Sequence, residues 1–232
     1  TPRFRPHFLS PMKLSAALLP GDWYWIAHGV LAAVAVWVFR TAPWTRLRDN
    51  AQNHLFLGSV VSLLVLWSIR PPLLRGIEFH FLGATALTLM FGPQLAIAGL
   101  GLVVAGLALA GHTEWTAYSI NVLVLAVLPT LVSRGVHVVS DRVLPQNIFV
   151  FIFVPAFLGG AIALALSGGA AVSLVAAFGD PLTAGMAEQF LPYCLLLSFA
   201  EATLTGMVIT LMVVYRPTWV GTFDDGRYLR KQ

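Results

Sequence analysis

Long apolar runs alternate with short polar or proline-bearing interruptions along almost the whole chain. A helix that crosses the hydrocarbon core of a bilayer needs roughly 20 apolar residues. The pattern predicts seven helices. The first two are expected at about Asp22–Arg40 and His54–Ile69, and a short third at about Phe79–Met90. The fourth runs from Gly92-Pro93 to about Ala110, and the fifth covers about Trp115–Val138. The last two are expected at about Asn147–Leu166 and Gln189–Tyr215. Residues 167–186 mix glycine and alanine with short apolar runs and read as an external or re-entrant piece. The expectation is an all-α polytopic membrane bundle, with a leader over 1–21, the bundle over 22–215 and a water-facing tail over 216–232.

The third helix is the odd one. It stops at Phe91-Gly92-Pro93, too soon to cross a bilayer untilted, and it begins at Glu78 and His80. A short helix with a polar start is tolerated only inside a bundle or beside a water-filled cavity. This stretch therefore reads as the beginning of a binding site.

Punctuation supports the rest. Arg70-Pro71-Pro72 breaks the chain after the second helix, because proline ends helices. Pro129 lies within the fifth and is expected to kink it. Gly29 with Ala33, and Gly101 with Ala105, are small residues four apart that permit close helix contact. Arg216-Pro217 stops the last helix.

Composition sharpens the class. Of the 232 residues, 58% are hydrophobic and 10% are charged, with a mean hydropathy of +0.81. Soluble domains carry about 25% charged residues, so lipid must face much of this chain. The net charge of +4 comes from arginines near segment ends, which fits topology and lipid headgroups rather than nucleic acid. More of these cations fall inside with the N-terminus outside and the C-terminus inside. The single cysteine, Cys194, excludes an intrachain disulfide. No cleavable signal peptide is evident at the start.

Few residues carry chemistry. His80 reads either as a ligand for a borderline metal ion supported by the Glu78 carboxylate, or with Glu78 as a loop pair capping the third helix. Glu201 shares one helix face with Cys194, Ser198 and Thr205. A carboxylate there either lines a solute or proton path or makes a structural hydrogen bond to the fifth or sixth helix. His7, in the leader, completes a metal site only if the leader folds into the bundle. Asn121 is interhelical glue, or else a ligand or gating residue. His28, His54 and His137 read as packing or interfacial residues. No serine-histidine-acid arrangement, phosphate loop or His-Glu-x-x-His motif points to an enzyme.

Several patches resemble a known family. Phe8-Leu9-Ser10-Pro11, His80-Phe81-Leu82-Gly83 and Phe91-Gly92-Pro93 look like its motifs. So do Asn121 and the helix from Ala200-Glu201-Ala202 to Tyr215-Arg216-Pro217. The chain resembles the CbiM and NikM group, the substrate-binding membrane proteins of energy-coupling factor importers for cobalt and nickel. The resemblance implies a seven-helix component of the bacterial inner membrane, with Ni(II) or Co(II) as substrate. Coupling transmembrane and ATPase chains are the implied partners. It also implies metal ligands at the free N-terminal amine, a second-position histidine and a histidine matching His80. Read from Thr1-Pro2-Arg3, the chain presents no second-position histidine, which leaves His80 with His7 nearby. The competing reading is an accessory or assembly subunit of a larger membrane complex.

Overall fold

The computed structural model describes residues 21–69, 72–74, 77–78, 81–178 and 191–228. It is an all-α membrane bundle. Helix α1 spans Gly21–Thr41 and α2 spans Asn50–Ser68. A two-stranded antiparallel hairpin follows, Pro72–Leu74 with Ile77–Glu78. Helix α3 is Ala84–Phe91 and α4 is Pro93–Leu109. Then come α5 (Tyr118–Val122), α6 (Leu128–Val143), α7 (Ile148–Phe151), α8 (Gly159–Phe178) and α9 (Leu191–Tyr215). Among the described residues, five stretches are long and apolar enough to cross a membrane: Gly21–Thr41, Asn50–Ser68, Trp115–Val143, Ile148–Phe178 and Leu191–Tyr215. The shorter α3 and α4 lie between them in sequence.

At eight residues, α3 is about 12 Å long, under half the hydrocarbon thickness. Every residue but Ala86 is buried, so it sits inside the bundle rather than against lipid. Gly92 ends it with φ 87°, and Pro93 opens α4 at the first helical position, where its missing N–H is harmless. The break is glycine followed by proline, as the sequence predicts.

Both long inner helices carry a π-helical turn at a proline. Leu123–Val127 precedes Pro129, and Ile152–Leu158 contains Pro155. The wider turn absorbs the amide that proline lacks, and the helix continues.

Several expected boundaries move. The third helix begins at Ala84, not Phe79, because the hairpin occupies the approach. The second begins at Asn50, capped by the Asp49 carboxylate on the Ala51 amide. The fifth continues to Val143, five residues beyond the expected end at Val138. Residues 167–178 are not external or re-entrant: they complete α8. Its paired glycines read as a break, but backbone polar groups in lipid are satisfied by continuing the helix. Residues 179–186 lie outside the described residues.

Close packing falls on glycines other than those expected. A Cβ at Gly29 would meet nothing within 4 Å, and Gly29 and Ala33 lie on the exposed side of α1. At Gly101 the nearest group is the Tyr118 hydroxyl, which donates to its carbonyl at 3.2 Å. Helices α2 and α4 meet instead at Gly99 and Gly106. A Cβ there would sit 3.2 Å from Phe56 and 2.8 Å from Leu64. Seven residues separate the two glycines, so they share the α2-facing side.

The tail is folded, not free in water. Val220, Phe223 and Tyr228 are buried. The amides of Gly221 and Thr222 donate to the carbonyls of Met90 and Leu89 at 2.9 and 3.1 Å. The Thr222 hydroxyl adds a bond to Leu89 at 2.8 Å. From the other side Arg46 reaches the Met90 and Phe91 carbonyls at 3.5 Å. The orphan carbonyls at the C-terminal end of α3 are thus capped by the tail and by the loop before α2.

Candidate functional site

The N-terminal end of α3 has the opposite need, because its first amides lack helical partners. Glu201, on α9, meets it. One carboxylate oxygen accepts the Leu82 amide at 3.0 Å and the other accepts the Gly83 amide at 2.8 Å. Thr205, one turn further along α9, stands 3.5 Å from the same carboxylate. Glu201 is 2% exposed, so this is a carboxyl group taken out of solvent and held by backbone donors.

Gly83 is required twice over at this contact. Its φ is 65°, the left-handed region open to glycine. An added Cβ would also sit 2.5 Å from a methyl of Leu63 on α2. The sequence flagged Glu201 and placed its structural partner on the fifth or sixth helix; the partner is instead the turn before α3. Nothing in the spacing along the chain pairs residues 118 and 119 positions apart.

Cys194, Ser198, Glu201 and Thr205 all lie on the buried face of α9. Ser198 bonds back to the Cys194 carbonyl at 2.6 Å and does not reach Glu201's partners. Gly160 on α8 lets α9 approach: a Cβ there would lie 3.4 Å from Thr205.

Glu201 borders a cavity of about 650 Å³ between α2 and α9, roofed by α3. It extends from Phe81 and Gly83 at one end to His54 and Trp219 at the other, and its walls are mainly apolar. The size lies in the range of small-molecule sites, roughly 300–1,000 Å³. His54, read from the sequence as packing, lines this space.

Asn121 is buried at 2% and borders a separate void of about 10 Å³ with Trp67, Thr113 and Leu125. Such a space holds no more than a water molecule. His7 and His80 lie outside the described residues, and Glu78 is placed only as backbone in the hairpin. Among the described residues, no three His, Cys, Asp or Glu side chains converge to hold a metal ion. The structure brings together Glu201, Thr205 and the turn two residues beyond His80. It does not bring Asn121 to them.

A family model described as the cobalt uptake substrate-specific transmembrane region, CbiM, matches residues 13–219. The chain belongs to the CbiM family. The matched region contains His80, Asn121 and Glu201, and CbiM is a transport family by its description. The fold agrees with two solved structures. A truncated transition metal transporter superposes with a TM-score of 0.67 at 16% identity, covering 88% of this chain and 99% of that one. A transition metal transporter superposes at 0.64 and 16% identity, covering 86% and 92%. None of the curated proteins matches the chain in sequence.

Proposed function

We propose that this CbiM protein is the membrane substrate-binding component for uptake of a divalent transition-metal ion of the cobalt or nickel type. The observation that carries the reading is the family match across residues 13–219 of a multi-pass membrane bundle. The ion is cargo. It enters from outside and is held by His80, with His7 and Glu78 as further donors, and leaves inward when partner chains move. Separate coupling and ATPase chains in a bacterial inner membrane supply the energy. The Glu201 clamp supports the reading, because it fixes the turn that follows His80 to the bundle core at 2.8 and 3.0 Å. A metal site needs ligands held in place by such supporting bonds.

A neutral imidazole suits Ni(II) and Co(II), whereas Mg(II) and Ca(II) prefer oxygen. Isothermal titration of tag-free, solubilised protein with each ion should therefore show saturable Ni(II) or Co(II) binding. His80→Ala should abolish it. Binding should weaken as pH falls through the histidine range, near about 6.5, because a protonated ring cannot coordinate. Wild type without saturable binding, or His80→Ala with unchanged binding, would overturn this assignment.

A further inference from the structure

Helix α6 turns a polar face into the bundle and an apolar face outward. Thr130, Ser133, His137 and Ser140 are buried, while Leu131, Val139 and Val143 are exposed. Their spacing of three, four and three sets the polar four on one face. Thr130 Oγ1 and His137 Nδ1 are buried without a hydrogen-bond partner. Leaving such an atom unpaired is costly. Within a membrane bundle, polar side chains that face inward mark ion routes.

His137 is 6% exposed, and its ring stands edge-on to Phe151 at 5.9 Å. Asp141 follows one turn later on the same face. The i, i+4 spacing makes the two side chains neighbours on the helix surface. That carboxylate is held by the tail. Tyr228 donates its hydroxyl to Oδ1, and Arg227 Nη2 sits 3.0 Å from Oδ2. Arg227 also donates from Nε to Gln146 at 3.2 Å. Burial first, and then the accepting Asp141, push the Tyr228 phenol above its usual 10, so it remains a donor. The Phe223 and Tyr228 rings stack at 5.1 Å, and both meet Phe151.

We propose that His137 and Asp141 form a second divalent-cation site, at the end of the bundle where the tail docks, and that the Arg227 guanidinium fills its carboxylate while the tail is down. The inference deepens the uptake reading and rests on it, because it assigns the same class of cargo to a second station. Two ligands four residues apart on one helix face can share one ion. Imidazole nitrogen with carboxylate oxygen suits Ni(II) or Co(II), with water completing the shell. The ion and Arg227 compete for one carboxylate, so the ion enters only once Arg227 has left. Release loosens the strap that lies across the carbonyl end of α3.

The test is Ni(II) titration of the tag-free, full-length protein in lipid nanodiscs, in a His80→Ala background that removes the first proposed ligand. With Arg227 intact, saturable binding should be absent. His80→Ala/Arg227→Gln should bind one equivalent, at least about tenfold tighter than any residual binding with Arg227 present. Adding His137→Gln should remove it again. Arg227→Lys in the same background should remain unable to bind, because an ammonium still fills the carboxylate. Should Arg227→Gln lose its monodisperse elution, Tyr228→Phe/Arg227→Lys with Asp141→Asn as the control reads the same carboxylate. Its predicted order is weak binding, then none. No binding in any Arg227 or Tyr228 variant, or binding that survives His137→Gln, overturns the second site. Wild type against His80→Ala reports separately on the first site, so the two proposals fail independently.

Discussion

At the scale of the residue, Glu201 does the work of a helix cap supplied from elsewhere in the chain. Most helices cap their first amides with a Ser, Thr, Asp or Asn just before them. Here that position is Gly83, in a left-handed conformation and without a side chain to offer. The carboxylate of Glu201 takes over, 118 residues away. The substitutions separate by chemistry. Glu201→Gln keeps an acceptor oxygen and should retain the fold with a modest loss of stability. Glu201→Leu keeps the volume but leaves two buried amides unpaired, at about 1–3 kcal/mol each. Thermal unfolding in detergent, followed by size-exclusion fluorescence, should show a clear drop for Leu and a small one for Gln. Equal melting of both variants would show that the clamp is dispensable.

At the scale of the element, α3 is short because both of its ends are finished by other segments. Glu201 closes one, and the tail with Arg46 closes the other. Gly221 makes the second closure possible. A Cβ there would sit 2.6 Å from the Arg46 guanidinium and 2.8 Å from the Met90 carbonyl. The guanidinium can swing away; the carbonyl is backbone and cannot. Gly221→Val should therefore undock the tail at a cost of about 1–3 kcal/mol, the usual range for overpacking. Limited trypsin digestion should then cut at Arg227 several-fold faster than in wild type, while the bundle stays intact. An unchanged digestion rate would mean that the tail accommodates the methyls without leaving α3.

At the scale of the whole molecule, the arginines set the orientation. Arg46, Arg48 and Arg142 lie at the same end of the bundle as the docked tail, through the contacts of Arg46 with α3 and of Arg227 with Asp141. Positively charged ends face the cytoplasm. The end where the tail docks should therefore be inside, with the start of α1 outside. Single cysteines introduced into a Cys194→Ser background and labelled in intact cells with an impermeant maleimide test this. Position 218 should stay protected and position 112, in the α4–α5 loop, should react. Strong labelling at 218 alone would invert the topology and place the strap on the outer face.

The sequence alone determined the class, the order of the helices and the position of the short third one. Those follow from hydropathy and from where proline and glycine stop a run, both local properties. It also singled out Glu201, because a carboxylate within an apolar helix is conspicuous whatever surrounds it. It misplaced residues 167–178, since paired glycines read as a break although they do not interrupt a helix in lipid. It misassigned the close-packing glycines: four-residue spacing marks a face of a helix but not which neighbour that face meets. Only the tertiary structure decided that Glu201 pairs with the Leu82–Gly83 turn and that Gly99 and Gly106 seat α2. The same holds for the charged tail folding onto α3 and Asp141. Each of these joins groups distant in the chain, and such pairings arise from the demand that every buried donor and acceptor find a partner. That demand is met by the bundle as a whole, and no stretch of sequence shows it by itself.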